Sequence, residues 1–96
     1  VITINNSPNG LNINDNCGAL HPDGVIKMVK ETRADIGFAL DGDADRLVVI
    51  DERGSVVDGD HLIGSLALFL KNTNALKGKG VVTTVMSNKG LEGFLE

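Results

Sequence analysis

Apolar positions along the chain alternate between short unbroken runs and helically spaced stripes. Val1-Ile2-Thr3-Ile4 is short and β-branched, which predicts a strand. Asn5 to Asn16 is crowded with Asn, Gly and Pro and predicts a long loop. Pro22-Asp23-Gly24 opens a helical pattern. Val25, Ile26 and Val29 form its apolar face, with Lys27, Lys30 and Glu31 outside, and the helix should end near Arg33. Ile36 to Leu40 is a continuous apolar run that predicts a strand buried on both faces. Leu47 to Ile50 predicts a second strand, and Glu52-Arg53-Gly54 a tight turn into Ser55-Val56-Val57, so residues 47 to 57 read as a hairpin. Asp58 or Asp60 can cap a further helix, which carries Leu62, Ile63, Leu66, Phe69 and Leu70 to about Lys71. After a break at Gly78 to Gly80, Val81 to Met86 predicts another strand, and Ser87 or Asn88 can cap a last helix. This alternation predicts an α/β protein with a mainly parallel, mixed sheet and helices packed on it. The chain opens in a strand-like run and stops inside a helical one, so it reads as an internal piece of a longer protein.

Composition narrows the classes of function. Apolar residues make up 42% of 96, with no Trp or Tyr, so a modest core must come from Val, Ile, Leu and Ala. A net charge of -4 without a Lys/Arg run argues against nucleic-acid binding through phosphate neutralisation. The longest apolar runs are too short to span a membrane, so no membrane partner is expected. Cys17 stands alone and cannot form an internal disulfide, which fits a reducing, cytoplasmic setting. Its plainest role is a small packed side chain, since no base can be placed beside it.

Candidate chemistry concentrates in Asp41-Gly42-Asp43-Ala44-Asp45-Arg46. In an extended strand, side chains two residues apart stand about 6.6 to 6.8 Å apart, too far for ligands at about 2.0 to 2.1 Å from one Mg²⁺ ion. In a helix the middle acid would point away. The three carboxylates can therefore meet on one ion only if the backbone curls. Gly42, tolerant of unusual dihedrals, and Ala44, small, are the spacers that allow it. Two carboxylates about 4 Å apart repel by about 4 kcal/mol at an effective dielectric near 20, so three together call for a cation or raised pKa values. A hard divalent ion such as Mg²⁺ suits an all-oxygen donor set, and zinc is disfavoured without a Cys/His cluster. An EF-hand would match Asp41, Asp43, Asp45 and Glu52, but Arg46 falls where its turn requires Gly. Arg46 suits either a phosphate or a neighbouring carboxylate. A solvated acidic turn and a non-catalytic Ca²⁺-binding module are the competing readings. Ser87 is best read as a helix cap, Lys89 as a solvated helix residue, and His21 and His61 as surface or helix-entry residues.

The hexapeptide with its flanks, Ala34 to Leu40 before and Leu47 to Asp51 after, resembles the metal loop of the α-D-phosphohexomutases. Pro8 to Asn14, Cys17-Gly18 and His21-Pro22 resemble the upstream part of the same domain. Val57 to Asp60 and Met86 to Glu92 look most like the amino-sugar branch of the family. The resemblance implies a four-domain enzyme in which three Asp of the loop and an oxygen of a phosphorylated serine hold Mg²⁺. The phosphoserine exchanges its phosphoryl group with a phosphosugar substrate. Carried onto this chain, Asp41, Asp43 and Asp45 are the metal ligands and Arg46 the arginine after the loop. Ala44 departs from a frequent Gly of the family. The family's layout implies that residues 1–57 complete the metal-binding second domain and 58–96 begin the third, sugar-recognition domain. The catalytic serine, the sugar loop and the phosphate loop are absent from these residues, so the chain alone is expected to be inactive and to bind metal weakly. Apolar faces that a whole enzyme covers could lead it to self-associate.

Overall fold

The structure, a computed structural model, describes residues 1–96 and shows an α/β chain in two compact units, Val1–Val57 and Asp58–Glu96.

In the first unit, helix α1 spans Asp23–Thr32. Pro22 occupies its N-cap position and accepts the Ile26 N–H, so its own missing N–H costs nothing there. Asp23 in the first turn and Lys30 in the last suit the helix dipole. The helix stops at Arg33, which adopts a left-handed conformation (φ 52°). The N–H groups of Arg33 and Ala34 both donate to the Val29 carbonyl.

Strands β1 (Ile36–Leu40), β2 (Leu47–Asp51) and β3 (Val56–Val57) follow in spatial order β1-β2-β3. Both pairings are antiparallel, with Gly37 opposite Ile50 and Leu40 opposite Leu47. The sheet is therefore not the mainly parallel one that the alternation predicts. A parallel pair needs a crossover of a dozen or more residues, and only Asp41–Arg46 separate β1 from β2. The second reversal falls at the expected turn. Asp51 accepts the N–H groups of Arg53 and Ser55 through Oδ1 (2.9 and 2.8 Å), and Gly54 takes φ 81°.

The packed cluster of this unit lies on the α1 face of the sheet, while Val49, paired with Phe38 on the other face, is also buried. Val29 of α1 meets Ala39 and Ile50, flanked by Val25, Ile26, Ala34 and Val48. Helix and sheet touch at Gly37, where a Cβ would stand 2.7 Å from Val29 Cγ2 and 2.8 Å from Val25 Cγ1. Burial of β1 on both faces does not hold: Gly37 and Ala39 are buried, while Ile36, Phe38 and Leu40 on the other face stay about half exposed. Val1–Ile4 forms no strand, because no neighbouring strand offers it a hydrogen-bonding ladder.

In the second unit, α2 (Gly59–Asn72) is capped by Asp58, whose Oδ1 accepts the Asp60 N–H at 2.7 Å. Helix α3 (Lys89–Leu95) is capped by Asn88, whose Oδ1 accepts the Leu91 N–H at 2.9 Å. The Asn88 N–H in turn donates to Asp60 Oδ2 at 2.9 Å, tying the two helix starts together. Leu91 and Phe94 of α3 lie over Gly64 of α2. Val81–Met86 forms no strand either, and Val82, Val85 and Met86 are fully or largely exposed. No helix is long and apolar enough to cross a membrane.

Candidate metal centre

The acidic hexapeptide is the loop that reverses the chain between β1 and β2. The Leu40–Leu47 pair closes the ladder beneath it, and the Asp41 N–H reaches the Arg46 carbonyl at 3.4 Å. Above that closure the backbone curls tightly. The Ala44 N–H donates to the Asp41 carbonyl (3.0 Å), and Asp41 Oδ1 accepts the Arg46 N–H (3.0 Å). One carboxylate oxygen of each of Asp41, Asp43 and Asp45 comes within 4.8 Å of the others. The curl required by the two-residue spacing of the acids is therefore present.

The two spacers exchange the roles that the sequence suggests. Ala44, the small spacer, carries the unusual dihedral, with φ 60°. Gly42 supplies space: a Cβ there would stand 2.7 Å from Ile13 Cδ1 and 3.3 Å from Asn14 Nδ2. A left-handed conformation costs an L-residue about 1 to 2 kcal/mol, and part of that is regained because Ala is less free than Gly when unfolded. Ala44→Gly is therefore expected to stabilise the first unit by about 0.5 to 1 kcal/mol. A urea midpoint that falls on this substitution would show that Ala44 is not held at positive φ in solution.

Electrostatics single out two of the acids. The Arg46 N–H donated to Asp41, helped by the nearby guanidinium, holds the Asp41 carboxyl below the ordinary value. Asp45 is pushed up, first by the adjacent Asp41 carboxylate, with which it competes for a proton, and then by Asp43. Arg46 Nε lies 3.7 Å from Asp41 Oδ2 on a largely exposed side chain, a weak ion pair. One guanidinium against three carboxylates leaves a local surplus of negative charge. The donor set is all oxygen, open to solvent on Asp43 and Asp45, and fits a hard divalent cation held with water molecules.

The other candidate residues lie elsewhere. Cys17 is a partly buried free thiol, and His21 and His61 are exposed. Lys89 pairs with Glu92 on its own helix at 2.6 Å, and Asn88, not Ser87, caps α3. The sequence reading missed Ile13 and Asn14, which touch the acidic loop at Gly42. A glycine between two acids was the available signal, since close approach is one of the reasons for that residue.

Comparison with known proteins gives a consistent set of matches. Residues 6–54 match the family described as phosphoglucomutase/phosphomannomutase, alpha/beta/alpha domain II. Over the whole chain the sequence is 69% identical to a phosphoglucosamine mutase of Aliarcobacter butzleri and 64% identical to one of Campylobacter concisus, covering 22% of each relative. It is 63% identical to a phosphoglucosamine mutase of Nautilia profundicola over 99% of the chain and 22% of that relative. The chain thus spans about a fifth of the length of the curated relatives it matches.

Proposed function

The chain belongs to the phosphoglucomutase/phosphomannomutase family, and from that footing we propose that Asp41, Asp43 and Asp45 are the Mg²⁺ ligands of a phosphoglucosamine mutase. In this reading the protein interconverts glucosamine 6-phosphate and glucosamine 1-phosphate by exchange with a phosphorylated serine, through a sugar bisphosphate. The serine and the sugar-binding loops lie outside these residues. Residues 1–57 belong to the metal-binding second domain and 58–96 to the third. The observation that carries the proposal is the meeting of three carboxylates within 4.8 Å at the end of a hairpin. The names of the relatives at 63–69% identity favour the amino sugar over mannose or glucose phosphates.

Each residue of the loop has a distinct task in this reading. Asp41 accepts the Arg46 N–H through Oδ1, and Oδ2, in a weak pair with the Arg46 guanidinium, is the oxygen left for the ion. Asp43 and Asp45 are solvent-facing and complete the anionic cup. Arg46 keeps the loop closed through its backbone, and its exposed guanidinium, only weakly paired with Asp41 Oδ2, is available to a phosphate. A divalent cation held by Asp41, Asp43 and Asp45 would supply charge neutralisation to a transferring phosphoryl group.

Calorimetry of the chain with Mg²⁺ and with Ca²⁺ tests the metal half of the proposal. Heat from Mg²⁺ that is lost on adding EDTA supports it. Binding of Ca²⁺ with no response to Mg²⁺ would favour a non-catalytic calcium module. The sugar half is tested by assaying a protein of the relatives' length that carries this segment, with glucosamine 6-phosphate against mannose 6-phosphate and glucose 6-phosphate.

A further inference from the structure

The Asn-rich segment before α1 has no part in the ligand set, yet it is the segment that meets the acidic loop. Ile13 Cδ1 and Cγ1 lie 2.7 and 2.9 Å from where a Cβ of Gly42 would stand, and Asn14 Nδ2 lies 3.3 Å from it. Asn14 also reaches Gly18: a Cβ on Gly18 would stand 3.0 Å from Asn14 Oδ1 and 3.1 Å from the carbonyl of Leu40, the last residue of β1. The Asn14 side chain, though exposed, thus occupies the space that a Cβ on Gly18 or on the first spacer of the loop would need.

The segment is shaped in advance for this contact. Asn9 Oδ1 accepts the N–H groups of Leu11 (2.8 Å) and Asn12 (3.0 Å). Asn12 Oδ1 accepts the Asn9 N–H (3.1 Å), and Asn12 Nδ2 donates to the Ser7 carbonyl (3.0 Å). Asn14 and Asn16 adopt positive φ (57° and 49°), and Gly18 takes 85°. Asn is the residue besides Gly that tolerates this region, so side-chain bonds and dihedrals together account for the run of asparagines.

We propose that residues 9–18 are a positioning brace for the acidic loop. Ile13 and Asn14 seat Gly42 and so set the spacing of Asp41 and Asp43. The proposal rests on the reading that the loop binds a divalent cation. A ligand shell held from behind binds metal more tightly than a free one, and loss of such outer support typically costs 10- to 100-fold in affinity.

The test is a Mg²⁺ titration of the chain, followed by the amide NMR shifts of residues 42–46, in wild type, Ile13→Ala, Asn14→Gly, Gly42→Ala and Ile13→Ala/Gly42→Ala. Asn14→Gly keeps the backbone conformation and removes only the side chain. Ile13→Ala and Asn14→Gly are each expected to weaken Mg²⁺ by about tenfold, with exchange of the β1 and β2 amides unchanged and Ile13→Val within about twofold of wild type. Gly42→Ala alone is expected to weaken binding similarly. The double variant should bind no more weakly than Ile13→Ala, because the smaller side chain makes room for the added methyl. Wild-type affinity in both Ile13→Ala and Asn14→Gly, or additive losses in the double variant, would overturn the brace. A wild type with no response to Mg²⁺ would instead sink the metal reading. The brace would then be decided by metal-free amide exchange of residues 42–46, faster in Asn14→Gly if it is right and unchanged if it is wrong.

Discussion

Asp43→Asn is expected to weaken Mg²⁺ binding to the acidic loop by about a hundredfold or more while leaving the fold intact. Asn has nearly the same shape and keeps one oxygen donor, so the change isolates the charge. Loss of a mere outer-shell partner reaches about a hundredfold, and removing one of three anionic ligands should cost at least as much. Asp43 is exposed and contributes nothing to the buried cluster of Val29, Ala39 and Ile50, so unfolding is not the route to this effect. Without metal, the same substitution removes one of three crowded charges and should hold or raise the thermal midpoint. The opposite signs for binding and stability are the mark of a site kept for function. Glu52→Gln removes an equal charge from the neighbouring turn, outside the cluster, and should alter Mg²⁺ affinity by less than about twofold at physiological salt. In a longer protein carrying this segment, Asp43→Asn should lower mutase turnover by about a hundredfold or more. Wild-type Mg²⁺ affinity in Asp43→Asn, or equal losses in Asp43→Asn and Glu52→Gln, would remove Asp43 from the ligand set.

What could be read from the sequence were the features set by neighbours in the chain. Pro22-Asp23 marks the start of α1, Asp58 or Asp60 and Ser87 or Asn88 mark the starts of α2 and α3 to within two residues, and Glu52-Arg53-Gly54 marks the turn before β3, with Asp58 and Asn88 the caps that form. Each depends on a local hydrogen bond or dihedral, and residue types report these directly. Strand direction depends on which segments lie side by side, and two connections decide it here. The short loops Asp41–Arg46 and Glu52–Ser55 force antiparallel pairing, although the wider alternation of strands and helices suggested a parallel sheet. Val1–Ile4 and Val81–Met86 have strand-like composition, but composition supplies no partner. At the site, the spacing of the acids was enough to require a curl. That Gly42 supplies space was not legible, because the atoms that need it belong to Ile13 and Asn14, nearly thirty residues upstream.

Ile50→Ala is expected to destabilise the first unit by about 2 to 5 kcal/mol. Ile50 is the fully buried side chain of the chain, and it stands opposite Gly37 at the point where α1 presses on the sheet. On the other face of β1, Ile36, Phe38 and Leu40 stay about half exposed and share little of the loss. Small domains are stable by only about 5 to 15 kcal/mol, and one of this size belongs at the low end, so the substitution should leave the unit close to its unfolding threshold. Ile36→Ala, at a half-exposed position on the open face, should cost less than about 1 kcal/mol. With no Trp or Tyr to report by fluorescence, the measurement is amide exchange at Val49 and Ile50 or circular dichroism in urea. Equal costs for Ile50→Ala and Ile36→Ala would mean that the α1 side of the sheet is not the core. The same experiment links fold to site. The acidic loop is framed by the Leu40–Leu47 pair, so a cation that binds it stabilises only the folded unit. Mg²⁺ at about a hundred times its dissociation constant should return about 2.7 kcal/mol to wild type and to Ile50→Ala alike. Asp43→Asn should gain far less at the same concentration.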